Sequence, residues 1–211
     1  MRIKNVIPSF IDYPGEICMM VFTAGCNLRC PWCHNKDLIY VEEPFIPIND
    51  VLSYLKKRRK NAAAICISGG EPTIQESLID FLQQVKDLGY LVKLDTNGTR
   101  PEVVKDALPY LDYIAMDIKA PFYRYNDMAG VAVSIGDIIG SMQVIKGSGI
   151  PHEFRTTVAP GLTENNLKLI ARSAEPSKYF LQQYTPREKA PFTAEELKRI
   201  AEEIGAGVRG L

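Results

Sequence analysis

The chain has 211 residues, 46% of them hydrophobic and 24% charged, with 25 lysines and arginines against 25 aspartates and glutamates. That length and composition predict one globular domain, residues 1–211, with a sizeable core. Zero net charge gives no electrostatic footprint for nucleic acid or an anionic membrane, so neither is expected as a partner. The start, Met1-Arg2-Ile3-Lys4-Asn5, lacks the apolar stretch of a signal peptide. No apolar run is long enough to span a bilayer. The expected location is the cytoplasm, where cysteines stay reduced.

Short apolar runs alternate with amphipathic stretches along the chain. The first strand is predicted at 18–23, followed by a cysteine-rich loop. A helix over 51–59 opens at Asn49 or Asp50 and runs into the basic stretch Lys56-Lys57-Arg58-Arg59-Lys60, a solvated helix end. Next come a strand at 64–68, a helix at 77–88 stopped by Gly89, a strand at 91–95, and a helix at 101–108 begun by Pro101. A strand at 113–118 leads into a longer loop, 123–133. A helix at 134–146, a strand at 153–158, a helix at 164–174 and a strand at 179–183 follow. The last helix, 193–204, starts with Thr193 and Glu196 in capping-box spacing. Strands alternating with helices predict parallel pairing through right-handed crossovers, and the apolar runs predict strands covered on both faces. Six such units are too few for a closed barrel. The expected fold is therefore α/β, a partial, open (βα)6 TIM-like barrel.

Three of the five cysteines fall in one loop, Cys26-Asn27-Leu28-Arg29-Cys30-Pro31-Trp32-Cys33-His34-Asn35, spaced C-x3-C-x2-C. Three thiolates so close suit one face of a single soft-metal centre: an iron–sulfur cluster, zinc or copper(I). A four-iron cluster normally takes four cysteines. The loop supplies three, so one iron is left open, as a catalytic centre requires. Two other readings fit the same residues. Cys30-Pro31-Trp32-Cys33-His34 matches the haem-attachment pattern C-x-x-C-H. Cys26, Cys30, Cys33 and His34 match a structural Cys3His zinc site. Cys18 and Cys66 lie in apolar runs and read as small core residues.

In parallel α/β sheets the chemistry collects at the carboxyl ends of the strands. The cysteine loop follows the first predicted strand, Gly69-Gly70-Glu71 the second, Asp95-Thr96-Asn97-Gly98 the third and Asp117-Ile118-Lys119 the fourth; Arg155 lies within the fifth. Paired glycines let the backbone approach a ligand closely, or simply turn a strand into a helix. Asp95 and Asp117, with Thr96, suit a hard cation through oxygen ligands; the plain alternatives are an Asn-Gly turn and an Asp117–Lys119 ion pair.

The cysteine spacing, with an aromatic residue before the last cysteine, resembles the radical S-adenosylmethionine (SAM) superfamily. The Ser68-Gly69-Gly70-Glu71-Pro72 segment resembles that family's Gly-Gly-Glu motif. Asp12-Tyr13-Pro14-Gly15, the loop ending Cys33-His34-Asn35, Asp95-Thr96-Asn97-Gly98 and Asp117-Ile118-Lys119-Ala120-Pro121 are similar to the glycyl-radical-enzyme activases, including those serving anaerobic ribonucleotide reductase and pyruvate formate-lyase. The likeness spans about 4–186. It implies a [4Fe-4S] cluster on Cys26, Cys30 and Cys33, with SAM chelating the open iron. Gly69, Gly70 and Glu71 would hold the SAM amino group, Trp32 and His34 would lie beside the adenine, and Lys119 and Arg155 would pair with its ribose or carboxylate. Asp95, Thr96 and Asp117 would form a monovalent-cation site beside SAM. Some activases place a histidine of the last strand near SAM; here Gln182-Gln183-Tyr184 stands there, with no role assigned. The resemblance also implies a flavodoxin- or ferredoxin-type reductant and a glycyl radical enzyme as protein substrate. The alternatives are a radical SAM enzyme acting on a small molecule such as a deazapurine precursor, and a non-enzymatic electron-transfer or zinc-binding module.

Overall fold

The computed structural model of the protein describes all 211 residues. Eight strands form one sheet in sequential order: β1 (Ile3–Tyr13), β2 (Glu16–Thr23), β3 (Ala64–Gly69), β4 (Leu91–Thr96), β5 (Tyr113–Asp117), β6 (His152–Val158), β7 (Lys178–Gln183) and β8 (Gly207–Arg209). From β2 to β8 every pairing is parallel. Seven helices connect them: α1 (Ile48–Arg58), α2 (Leu78–Asp87), α3 (Pro101–Ala107), α4 (Tyr125–Ala129), α5 (Ile135–Gly147), α6 (Glu164–Ala174) and α7 (Ala194–Glu203). β1 and β8 do not pair with each other, so the curled sheet stays an open half-barrel. No helix is long and apolar enough to cross a membrane.

The six predicted strands are present, and two more extend the sheet. β1 pairs antiparallel with β2. It is buried only at its two ends, Ile3 and Tyr13, and partly or fully exposed between them. Pro8 sits mid-strand, and the register shifts between Ile3 and Asn5 and between Ser9 and Tyr13. β8 is only three residues long. The predicted 123–133 loop instead contains α4, ended by Gly130 in a left-handed conformation. At α7 the predicted capping box is formed: the Thr193 hydroxyl accepts from Glu196 N–H, and the Glu196 carboxylate accepts from Thr193 N–H.

The two faces of the sheet differ. Val21, Ile65, Ile67, Val92, Leu94, Ile114, Met116 and Leu181 pack with the helices in one large apolar core. Residues one position away face the other side, as strand periodicity requires. There, Tyr13, Cys18, Met20, Ala64, Cys66 and Tyr113 form a small apolar plug. Beyond the plug the same face carries charge. Lys93, Asp95, Glu153 and Arg155 are all buried. The strands are covered on both faces, as predicted, but the second face is not apolar throughout. The inner face is polar where the site lies.

Candidate active site

The loop that leaves β2 is fixed from three directions. Gly25 N–H donates to Leu38 C=O at 2.8 Å and Cys26 N–H to Ile39 C=O at 3.0 Å. Arg29 N–H donates to Ala129 C=O at the end of α4, 2.8 Å away, and Trp32 Nε1 donates to Met128 C=O at 3.1 Å. The Arg29 guanidinium folds back onto the Cys26 and Leu28 carbonyls at 2.6 and 2.7 Å. Every backbone group so engaged is one that would otherwise be costly to bury.

The loop faces a cavity of about 210 Å³ at the carboxyl ends of β2–β6. Every candidate named from the sequence lines it: Cys26, Cys30 and Cys33 with Trp32 and His34; Gly69, Gly70 and Glu71; Asp95 and Thr96; Asp117, Lys119 and Arg155. Sequence reasoning missed Leu28, Asn35, Ile39, Ser68, Asn97 and Thr157, which also line it. Asn97 had a signal, since it sits inside the Asp-Thr-Asn-Gly segment. Thr157 had one as well, two residues beyond Arg155 on the same face of β6. Gln182 and Gln183 line a neighbouring polar cavity with His34, Thr157 and Arg209.

The donor set fits a cluster with three cysteine ligands. Cys18 and Cys66 lie in the apolar plug, away from the cavity, so the loop alone offers thiols there. Burial pushes the Cys26 thiol up to about 11 and also raises Cys30, where the nearby Lys119 charge opposes it. Thiols so placed lose their protons when a metal replaces the missing positive charge. His34 packs against Tyr184, with ring centroids 5.2 Å apart.

Several expected roles change on inspection of the contacts. Glu71 is 1% exposed, and both its oxygens accept from the protein. Oε1 accepts from Thr73 N–H at 3.0 Å, Thr73 Oγ1 at 2.6 Å and Thr96 Oγ1 at 2.7 Å; Oε2 accepts from Asn97 N–H at 2.7 Å. Burial raises its pKa, while these four donors oppose the rise. Glu71 therefore ties the turn after β3 to the turn after β4. The paired glycines serve backbone packing. A Cβ on Gly70 would lie 2.0 Å from the Gly25 carbonyl oxygen, and one on Gly69 would lie 2.6 Å from that of Thr23.

The two acids are paired as well. Asp95 meets Lys93 at 2.8 Å and Arg155 at 3.2 Å; Asp117 meets Arg155 at 2.8 Å and Lys119 at 2.9 Å. Of the residues expected to form a cation site, Asp95 and Asp117 are paired with side-chain cations here and Thr96 donates to Glu71. Burial alone would raise both acids' pKa values. Arg155 and Lys93 outweigh it at Asp95, and Arg155 and Lys119 at Asp117, holding both below the usual carboxylate range. Three side-chain cations, Lys93, Arg155 and Lys119, thus share the two carboxylates. Lys119 also lies over the Trp32 ring, 5.4 Å from its centroid.

Comparison with known proteins agrees with this architecture. Residues 20–174 match the sequence profile of the radical SAM superfamily. A provisionally named glycyl-radical enzyme activating enzyme of Methanocaldococcus jannaschii is 31% identical over 202 residues, covering 91% of this chain and 82% of the relative. The pyruvate formate-lyase-activating enzyme of Clostridium pasteurianum is 32% identical, over 76% of this chain and 70% of the relative. The 7-carboxy-7-deazaguanine synthase of Thermoplasma acidophilum is 35% identical, but over 52% of this chain and 50% of its own. Among solved structures, Streptococcus suis SuiB bound to S-adenosylmethionine superposes with a TM-score of 0.72 at 15% identity, over 89% of this chain and 49% of the other, which is a likeness of fold. With the family's own pattern running from β2 to the end of α6, this chain belongs to the radical SAM superfamily.

Proposed function

We propose that the protein is an activase that generates a glycyl radical on a partner enzyme. The coarser statement holds without proposal: it is a radical SAM enzyme, of a family that works with a [4Fe-4S] cluster and SAM. That membership favours the cluster over the zinc-module and haem readings of the cysteine loop. The single observation carrying the finer reading is length of likeness. Two activating enzymes align over 91% and 76% of this chain and over most of themselves, whereas the Thermoplasma acidophilum deazaguanine synthase covers 52% of it. A staphylococcal pyruvate formate-lyase-activating enzyme also covers only 52%.

In this reading Cys26, Cys30 and Cys33 hold the cluster. When bound, the cluster and SAM supply a one-electron cleavage of the sulfonium that yields a 5′-deoxyadenosyl radical. The protein's own residues bind, orient and exclude water. Arg155 and Lys119, fixed by Asp95 and Asp117, place two charged donors at the floor that suit a carboxylate. Trp32 and His34 offer flat faces for an adenine, and Gly69 and Gly70 bring two turns of backbone together at the rim. The open side of the half-barrel leaves room for a protein loop bearing the target glycine. A flavodoxin- or ferredoxin-type protein would be the electron donor.

The half-length likeness to deazaguanine synthases favours a second reading, a radical SAM enzyme acting on a deazapurine precursor. One experiment separates the two. The reconstituted, reduced protein is mixed with SAM and either a candidate glycyl radical enzyme or the small molecule. The activase reading expects an electron paramagnetic resonance doublet on the partner protein, lost when its target glycine is replaced by alanine. Turnover stimulated only by the small molecule, with no radical on any partner, overturns it.

A further inference from the structure

Asn97 is 5% exposed and stands where the turn after β4 meets the cysteine loop. Thr99 N–H donates to its Oδ1 at 3.0 Å. A backbone N–H can only donate, so the amide oxygen must point to Thr99 and the amide nitrogen to the cysteine loop. A closed ring follows. Asn97 Nδ2 donates to Asn27 Oδ1 at 2.9 Å, Asn27 Nδ2 donates to Thr99 Oγ1 at 2.7 Å, and Thr99 Oγ1 donates to Asn97 Oδ1 at 2.7 Å. Asn27 is the neighbour of Cys26. Held by this ring, Asn97 Nδ2 lies 4.0 Å from Cys26 Sγ, the same sulfur that accepts the Leu28 backbone N–H at 3.4 Å. On its other side, Asn97 N–H is anchored to the buried Glu71 carboxylate.

We propose that Asn97 is a positioning residue for the metal centre: through the ring it fixes Cys26, and through Nδ2 it donates an N–H···S hydrogen bond that raises the reduction potential of the cluster bound there. The proposal rests on Cys26 being a cluster ligand. A thiolate is a stronger acceptor than a thiol, so the contact tightens when Cys26 is ligated. Hydrogen bonds to ligand sulfurs stabilise the reduced, more negative cluster, and removing one lowers its potential. The ring couples Cys26 to the Glu71 anchor, so the loop cannot shift without breaking bonds in the β4 turn.

The test uses the full chain, reconstituted anaerobically without SAM. Iron and sulfide content, the midpoint potential by redox titration, and the rate of iron release to a chelator are measured for the parent, Asn97→Asp and Thr99→Val. Asn97→Asp keeps the volume but puts an acceptor with negative charge where the donor was. It should shift the midpoint to more negative potential and release iron faster. Thr99→Val keeps shape and opens the ring while sparing Nδ2, so it should release iron faster with a smaller potential shift. Should Asn97→Asp assemble no cluster, Asn97→Ser, too short to reach Cys26, carries the same expectation of a negative shift. A variant at Asn97 with the parent's midpoint potential overturns the proposal alone. A parent chain that takes up no four-iron cluster overturns the ligand assignment and the proposal with it.

Discussion

A single methyl group on Gly70 would collide with the Gly25 carbonyl, to which the neighbouring Glu71 donates its N–H at 2.8 Å. Neither partner is a flexible side-chain tip, so the backbone itself must yield. Gly70→Ala should destabilise the fold by about 1–3 kcal/mol, the usual cost of overpacking, and should lower iron uptake. Thermal melts and iron content read both. Among the cysteines, Cys30→Ala should take up no four-iron cluster, whereas Cys66→Ala, in the apolar plug, should keep it; visible absorption after reconstitution checks the pair. At this scale the location of the site was legible and the roles were not. Parallel strands send their carboxyl ends to one rim, so Gly69, Asp95 and Asp117 had to meet there. That Arg155 lies between the two acids depends on register: it pairs directly with Asp117 across β5 and β6. No spacing within one segment reveals such a cross-strand partner. Glu71 likewise gave no sign that Thr73, Thr96 and Asn97 would donate to its oxygens.

Between the residue and the fold stands α4, one short helix that carries the outer wall of the cysteine loop. Its last carbonyls receive Arg29 N–H and the Trp32 indole N–H. Gly130, which ends it, comes so close to the loop that a Cβ there would stand 2.1 Å from the Arg29 carbonyl oxygen. It also adopts a positive φ of 70°, a conformation that favours glycine. Gly130→Ala should therefore push the loop off α4 and speed iron loss to a chelator; an unchanged rate would mean the loop holds its shape without α4. A helix of five residues is too short to show a hydrophobic period, so the segment reads as loop from sequence. β1 escaped for a different reason. Pro8 in its middle argues against a strand, and half-exposed positions hide the apolar run that marked its parallel neighbours. β8, at three residues, offers no pattern.

Across the whole molecule, the barrel interior is held by charge as much as by apolar contact. Lys93, Asp95, Arg155, Asp117 and Lys119 form one chain of ion pairs. Removing one partner of such a buried set strands the others, at a cost of about 3–5 kcal/mol. Asp117 has its pKa lowered in the folded state, so its stabilisation is present above the ordinary value of 3.8 and is lost as the pH falls below it. The parent should thus be more stable than Asp117→Asn near neutral pH, and the difference should shrink on acidification below about pH 4; thermal melts of both proteins across that range test it. A constant difference at all pH values would show that Asp117 is held by its shape and not by its charge.

The outer side of β1 has a bearing on how the protein behaves in concentrated solution. Ile7, Phe10 and Ile11 are exposed along an edge that is bridged only at Ile3, by Ile46, and such an edge is a template for another strand. Pro8 cannot donate to an incoming strand, and the register shifts on either side bend the edge away from a flat ladder. These irregularities, which look like faults in the hairpin, guard against self-assembly through the sheet. Replacing Pro8→Thr should leave the cavity intact and yet make light scattering grow with protein concentration, where the parent's does not.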